Sequence, residues 1–441
     1  MSLIPPRTLK GFRDHLPESM LVREQVIDAA RKVFRSHGYG PIDTPALEYE
    51  EILTGKGGTD SDRQMYRFVD HGDRRVGLRF DLTVPFARFA AQHIGTLGTP
   101  FKRYHIGKVW RGEKPHRGRY REFMQCDFDT IGTRSVVSDI ETVLVIDEML
   151  RAIGFERFTI RLNHRQLLAG LLEKLDLSDK SREVLRALDK LGKSSRDKVA
   201  AEMVTAGATA RQADSVLALT DLAGSNSEIL DQARQLVEGS EIGMAGAARL
   251  GEILDAVSAV GIQQRVKLNV AIARGLDYYT GAVFETFLDD LTDIGSICSG
   301  GRYDNLAELY TRQQLPGIGA SLGLDRLLAA MDELQLMERT ATPAEVFIVF
   351  FDADRLGDYL RLAAQLRESG LGVELFDEPK KLGQQLSYAD RRGHQVAVIM
   401  GSQEFESETC QLKDLRNRDS IEVSLADGPS QLIAAIRQRI A

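Results

Sequence analysis

Cysteine is nearly absent from this chain: Cys126, Cys298 and Cys410 are all it has, far apart and with no CxxC spacing. That pattern excludes a disulfide framework and speaks against a structural zinc site. No apolar run approaches the ~20 residues needed to span a bilayer. The opening stretch "MSLIPPRTLKGFRD" has no apolar region of the kind a secretory signal carries, so a cytoplasmic protein with no membrane partner is expected. Also missing are GxxxxGK[ST], GxGxxG behind a strand, and HExxH. Their absence removes the P-loop, the dinucleotide-binding fold and the zinc-protease helix. The eight histidines are scattered, so no metal held by clustered side chains is expected.

What is present describes a folded protein of more than one domain. Hydrophobic residues make up 43% and charged residues 27%, as in globular chains. A length of 441 residues exceeds one ordinary core, so two or three domains are expected. The net charge of −7 would repel a polyanion from the protein as a whole. Residues 102–121, "KRYHIGKVWRGEKPHRGRYR", reverse that locally, with eight Lys or Arg against the single acid Glu113. A basic stripe on an acidic protein is where a phosphate-bearing partner docks. A solvated charged hairpin is the plainer alternative.

Periodicity supplies the organisation. The spacing of Val22, Val26, Ile27, Ala30, Val33 and Phe34 predicts an amphipathic helix stopped by Gly38 and Gly40. "RRVGLRFDLTVPFARFAAQ" reads as a strand ending at Asp81-Leu82-Thr83, then a helix. "TPFKRYHIGKVWRGE" and "YREFMQCDFDTIG" read as an antiparallel hairpin joined by the loop 114–118. From 167 to 262, Ala, Leu, Lys, Glu and Arg dominate at helical spacing. That predicts a helical insertion between two parts of a sheet domain, 1–166 and 263–335. Strands and helices then alternate over 342–441, which predicts a mostly parallel, helix-covered sheet. The fold class is α+β, an antiparallel-sheet domain with a helical insertion followed by an α/β domain.

Three stretches carry chemistry. Arg111 and Glu113 stand two apart on one expected strand, and Phe123, Gln125, Asp127 and Asp129 alternate along its partner. A guanidinium, an amide and carboxylates thus share one sheet face, although a solvent-exposed polar face would read the same. "GIGASLGLDR" runs a Gly-rich strand into a helix. Gly317, Gly319 and Gly323 permit close approach of a ligand, and Arg326 in the first helical turn suits a phosphate. Tight packing is the other reading of those glycines. Finally, "AIARGLDYYTGAVFE" sets Arg274, Asp277, Tyr278 and Tyr279 around Gly275, a polar cluster that the following strand does not need.

In this order the stretches resemble the histidyl-tRNA synthetases. "RGLDYYTGAVFE" is similar to their signature peptide, and "VWRGEKPHRGRYREFMQCDFD" and "GIGASLGLDRL" to the second and third class II synthetase motifs. "LRFDLTVPFAR" resembles their histidine-binding strand, and "KKLGQQLSYADRRGHQVAVIMG" their C-terminal anticodon-binding domain. Asp81-Leu82, where many bacterial members carry Glu-Gly, looks like the eukaryotic and archaeal branch. The resemblance implies a class II catalytic domain that activates L-histidine with ATP and passes the histidyl group to the 3′ end of tRNA(His).

By the matching positions, Arg111 and Arg274 are the catalytic pair, gripping the α-phosphate and the substrate carboxylate. Asp129 and Tyr279 bind the imidazole of histidine. Asp81 and Thr83, which flank Leu82, bind the α-amino group with Gln125, and Tyr278 and Tyr303 wall the pocket. Arg111, Glu113, Phe123 and Arg326 hold ATP, with Mg2+ bridging phosphate oxygens largely through water. Lys114, His116 and Arg117 meet the acceptor end of the tRNA. A homodimer is implied, with the first helix and its following strand at the interface. The rival resemblance is the histidine-sensing regulatory subunit of ATP phosphoribosyltransferase. It would lack the adenylation arginines and the C-terminal domain, both present here.

Overall fold

The computed structural model describes residues 3–54, 63–191, 194–272, 278–337 and 340–440. They form two compact units, residues 1–13 with 26–336, and residues 14–25 with 337–441.

In chain order the strands of the larger unit are β1 (Gly40–Pro41), β2 (Leu47–Tyr49), β3 (Arg67–Val69), β4 (Arg75–Leu78), β5 (Phe101–Trp110) and β6 (Glu122–Ile131). There follow β7 (Phe158–His164), β8 (Val266–Leu268), β9 (Ala282–Leu288), β10 (Cys298–Tyr303) and β11 (Gly317–Gly323). Eight of them make one sheet in the order β1-β5-β6-β11-β10-β9-β7-β8, antiparallel except where β1 joins β5 and β8 joins β7. The remaining three form a small antiparallel sheet, β2-β4-β3.

Side-chain alternation divides the large sheet into a packing face and a polar face. Helix α1 (Pro17–Ser36) lays Phe34 against Tyr104 and Phe128, ring centroids 5.5 Å and 5.2 Å apart, on the even-numbered face of β5 and β6. Arg103, His105, Gln125, Asp127 and Asp129 alternate with those residues and belong to the opposite face. Helix α2 (Thr83–Leu97) brings Phe86 beneath the Arg103 guanidinium, 4.4 Å from the ring centroid. Between β7 and β8 the chain is helical, from Arg165–Lys174 through Glu241–Ala259. Glycine is needed where two of these helices cross, because a Cβ on Gly170 would stand 2.4 Å from the Cα of Gly243.

The smaller unit holds β12 (Val346–Ile348), β13 (Val373–Leu375), β14 (Val396–Ile399), β15 (Thr409–Asp414) and β16 (Ser420–Ser424), in the order β13-β12-β14-β15-β16. The mostly parallel sheet expected here is corrected by this order. β12 pairs in parallel with β13 and β14, but β15 and β16 form an antiparallel hairpin on one side. "TCQLKD" buries Cys410 and Leu412 while its alternate residues are partly open, a half-buried strand rather than a continuous apolar run. Among the described residues no helix is long and apolar enough to cross a membrane.

Candidate active site

The register of the hairpin sets the chemistry of the polar face. Arg103 lies opposite Asp129 and His105 opposite Asp127 across β5 and β6. On the other side of β6, β11 places Gly319 opposite Asp129, Ser321 opposite Asp127 and Gly323 opposite Gln125. Arg103, His105, Gln125, Asp127 and Asp129 are all buried. This face is therefore not the solvent-exposed polar surface that alternation alone allows.

Asp129 is the centre of one group. The Tyr303 hydroxyl donates to its Oδ1 at 2.5 Å, and Arg103 Nη2 lies 2.6 Å from its Oδ2. Burial pushes the carboxyl up from its ordinary value, while Arg103 and the Tyr303 hydroxyl pull it back. Arg103 Nη2 also donates to the Leu82 carbonyl at 3.3 Å. Tyr278 meets Tyr279 and Tyr303 edge-on at 5.1 Å and 6.0 Å, and its hydroxyl is bonded to Thr83. Gly317 and Gly319, expected to admit a ligand, instead make room for these side chains. A Cβ on Gly319 would stand 2.1 Å from Asp129 Oδ1, and one on Gly317 would stand 2.3 Å from the Tyr303 ring.

Asp81 borders the same group, but not at a strand end. β4 stops at Leu78, and Asp81 instead accepts from the backbone N–H of Val84 at 2.9 Å, capping the start of α2. A carboxylate that satisfies a free helical N–H turns the chain out of the ladder. Burial raises the Asp81 carboxyl, opposed by the Val84 N–H and by the charge of Arg111.

A second group surrounds an open cleft of about 630 Å3, lined among others by Arg111, Glu113, Arg119, Phe123, Gln125 and Arg326. The Arg111 guanidinium lies over two rings, 4.4 Å from Phe80 and 5.1 Å from Phe123, and its Nε donates to the Phe80 carbonyl at 3.1 Å. Arg111 and Glu113 do not share a strand as expected, since β5 ends at Trp110. Beyond it the N–H of Gly112 donates to the Gln64 carbonyl at 2.7 Å, drawing the chain away from β6. Glu113 is ion-paired with Arg119, and Arg326 Nη1 donates to the Ser296 carbonyl. Burial pushes the Arg326 guanidinium below its ordinary value, and the charges of Arg119 and Arg111 add to that. Three mutually repelling cations around one opening attract an anion. The two groups meet at Gln125, which donates to Ser321 Oγ at 2.7 Å.

Several functional side chains escape the sequence reading. Arg103 is recognisable only once the register puts it across from Asp129. Arg119 stands within the basic stripe with nothing to distinguish it from its neighbours. Asp325 accepts from the Met124 N–H at 2.8 Å and pairs with Arg13, tying β6 to the N-terminal segment. Arg274, Gly275 and Asp277 lie outside the described residues. Lys114, His116 and Arg117 are exposed at the hairpin tip, Arg117 being 3.0 Å from Glu333. Among the described residues no group of three His, Cys, Asp or Glu side chains comes together to hold a metal ion. The carboxylates on the cleft, Glu113 and Asp325, are both taken by arginines.

Comparisons with known proteins bear on the family and the fold. The family model for histidyl-tRNA synthetase matches residues 11–327, and that for an anticodon-binding domain matches 345–435. The chain is 59% identical over 438 residues to a histidine–tRNA ligase of Rhodopirellula baltica, covering 99% of each. It superposes on a histidyl-tRNA synthetase crystal structure from Nostoc with a TM-score of 0.89 at 33% identity, covering 99% of this chain and 100% of that one. A Bacillus halodurans structure described as an ATP phosphoribosyltransferase regulatory subunit/histidyl-tRNA synthetase shares the fold at a TM-score of 0.77 and 22% identity, covering 91% of this chain and 100% of that one.

Proposed function

The chain belongs to the histidyl-tRNA synthetase family, and from that premise we propose how its residues divide the work of a histidine–tRNA ligase. The activity itself is established by that kinship. The carboxylate of L-histidine attacks the α-phosphorus of ATP and expels pyrophosphate. The histidyl group of the adenylate then passes to the terminal ribose of tRNA(His).

Both partners in the first step are anions, and the attacking carboxylate is already ionised. No general base is needed, so positioning and charge neutralisation carry the catalysis. Arg111 neutralises the α-phosphate and substrate carboxylate from the cleft wall, its plane fixed between Phe80 and Phe123. Arg274 takes the opposite side; its role rests on the resemblance of "RGLDYY". Arg326 and Arg119 hold the outer phosphates, with Phe123 and Glu113 on the adenine. The imidazole goes to Asp129 and Tyr279, and the α-amino group to Asp81, Thr83 and Gln125. Lys114, His116 and Arg117 receive the acceptor end of the tRNA. The observation that carries the reading is that the cationic cleft and the buried Asp129–Tyr303 group share a wall at Gln125 and Ser321.

The described side chains do not make a cage for Mg2+, since both carboxylates of the cleft are already paired. A Mg2+ ion would have to come with the nucleotide and would supply further charge neutralisation, beside the roles of Arg111 and Arg326. Residues 1–166 and 263–335 form the catalytic domain, 167–262 its helical insertion, and 342–441 the anticodon-binding domain. Exposed Leu47, Tyr49, Phe68 and Val69 on the small β2-β4-β3 sheet favour a homodimer, a second copy being the ready cover for them. Cys126, Cys298 and Cys410 are buried and form no disulfide among the described residues, which suits the reducing cytoplasm.

Pyrophosphate exchange into ATP, run against the twenty amino acids, tests the reading. Exchange with histidine alone is expected. Arg111→Ala should slow exchange by about 10²–10³-fold, as for loss of one charge-stabilising donor. An effect confined to histidine KM would remove Arg111 from the chemical step.

A further inference from the structure

We propose that Asp127 is a further histidine-binding residue, bonding a ring nitrogen of the bound amino acid from the sheet floor between Gln125 and Asp129. The inference rests on the histidine pocket assigned above and adds a third acid to it. Asp127 is 2% exposed, and its Oδ1 has no hydrogen-bond partner among the described residues. Buried polar atoms are almost always bonded, so an orphaned carboxylate oxygen in a site wall marks a place where a ligand completes the pairing.

The cations around Asp127 are directed at other groups, and none among the described residues bonds its Oδ1. Arg103 on β5 is committed to Asp129 and the Leu82 carbonyl. Arg79, which feels the charge of Asp127, donates to the carbonyls of Lys108 and Thr44. His105, opposite Asp127 in register, has its Nε2 2.9 Å from Asp43. Ser321 on β11 bonds the carboxylate while accepting from Gln125. Asp129 and Asp81 are like charges nearby, and Tyr279 and Cys298 face the carboxylate with groups that burial keeps protonated. Two acids therefore crowd the floor around one tyrosine, with only Arg103 committed between them. That arrangement calls for a ligand bearing N–H groups.

Spacing says which N–H. Alternate residues on a strand stand about 7 Å apart. Gln125 and Asp127 thus stand about as far apart as the α-amino and ring nitrogens of histidine, whereas Gln125 and Asp129 stand roughly 14 Å apart. Gln125 lies at the cleft, where the reacting carboxylate and α-amino group must be. Asp129, at the far end, has Oδ1 bonded by Tyr303 and Oδ2 ion-paired with Arg103 without a hydrogen bond. Asp127, between them, has an oxygen with neither. Burial raises its carboxyl to about 7, so it can either donate to or accept from an imidazole near neutral pH.

The test compares D127N and D127A with D129A in histidine-dependent pyrophosphate exchange on the full chain. Both Asp127 variants should raise histidine KM at least tenfold, leave ATP KM within twofold, and flatten the dependence of histidine KM on pH between 6 and 8. Thermal melting of the near-isosteric D127N controls for folding. Histidine KM within twofold of the parent in both Asp127 variants overturns the proposal. So does a parallel rise of both KM values with a fall in melting temperature, which marks packing alone. If D129A raises histidine KM while the Asp127 variants do not, the proposal falls and the pocket stands. If D129A also leaves it unchanged, the pocket assignment itself fails, and the proposal with it.

Discussion

Arg103 and Asp129 face each other directly across β5 and β6, 2.6 Å apart and both out of water. Deleting one leaves the other as an unpaired buried charge, which typically costs about 3–5 kcal/mol. Arg103→Met should lose roughly that stability in urea unfolding. Adding Asp129→Asn should recover part of it, because the stranded charge is then gone. A double variant whose loss equals the sum of the two single losses would mean that the pair is not coupled.

Tyr303 donates its hydroxyl to the same carboxylate. Tyr303→Phe keeps the ring contacts with Tyr278 but withdraws a hydrogen bond to a charged acceptor, worth about 1.5–3 kcal/mol. If Asp129 senses the imidazole, histidine KM should rise about 10- to 100-fold, at about 1.4 kcal/mol per factor of ten. ATP KM should stay put. Steady-state exchange kinetics with each substrate varied in turn decides it, and an equal rise in both would move Tyr303 out of the histidine pocket.

A single methyl group separates two glycines of the larger unit. On Gly319 it would meet the Asp129 carboxylate at 2.1 Å and the Phe128 carbonyl at 2.4 Å, whereas around Gly95, within α2, there is open space. Gly319→Ala should therefore cut histidine-dependent exchange by at least about 100-fold, as misplacement of a binding group by an ångström does. Gly95→Ala should keep activity and gain about 0.5–1 kcal/mol of stability. Equal activity in the two variants would contradict the packing of Asp129 against the β11 backbone.

These cases also show what was legible in the sequence. Arg111, Gln125, Asp129 and Arg326, to which the proposed function gives substrate contacts, stand out in the sequence because their polar types recur at strand and helix positions where apolar residues are the rule. The alternation of β6 is visible for the same reason, being a strictly local property. Strand ends are not local. β5 stops at Trp110 because Gly112 finds the carbonyl of Gln64, and β4 stops short of Asp81 because that side chain caps α2. Arg103 has no meaning until its cross-strand partner is known. Gly317 and Gly319 were open to two readings from sequence, and only the positions of Tyr303 and Asp129 choose between them.

Asp127 links the site to stability through pH. Its carboxyl is raised from 3.8 to about 7, first by burial and then by the nearby acids, against the pull of Arg103. Between those values the folded chain holds a proton that the unfolded chain has released. The associated stability is complete below the unfolded value and is lost as pH rises through the folded one. At about 1.4 kcal/mol per unit, the parent should become less stable by a few kcal/mol on going from pH 5 to pH 8 through this group. Asp127→Asn cannot ionise, so its advantage over the parent in urea unfolding should be small near pH 5 and grow by a few kcal/mol, about 1.4 kcal/mol per unit, by pH 8. Parallel pH profiles would mean that Asp127 titrates at an ordinary value. Saturating histidine should narrow the gap at pH 8, because a ring N–H supplied by the ligand stabilises the ionised carboxylate of the parent and has no such charge to meet in the variant.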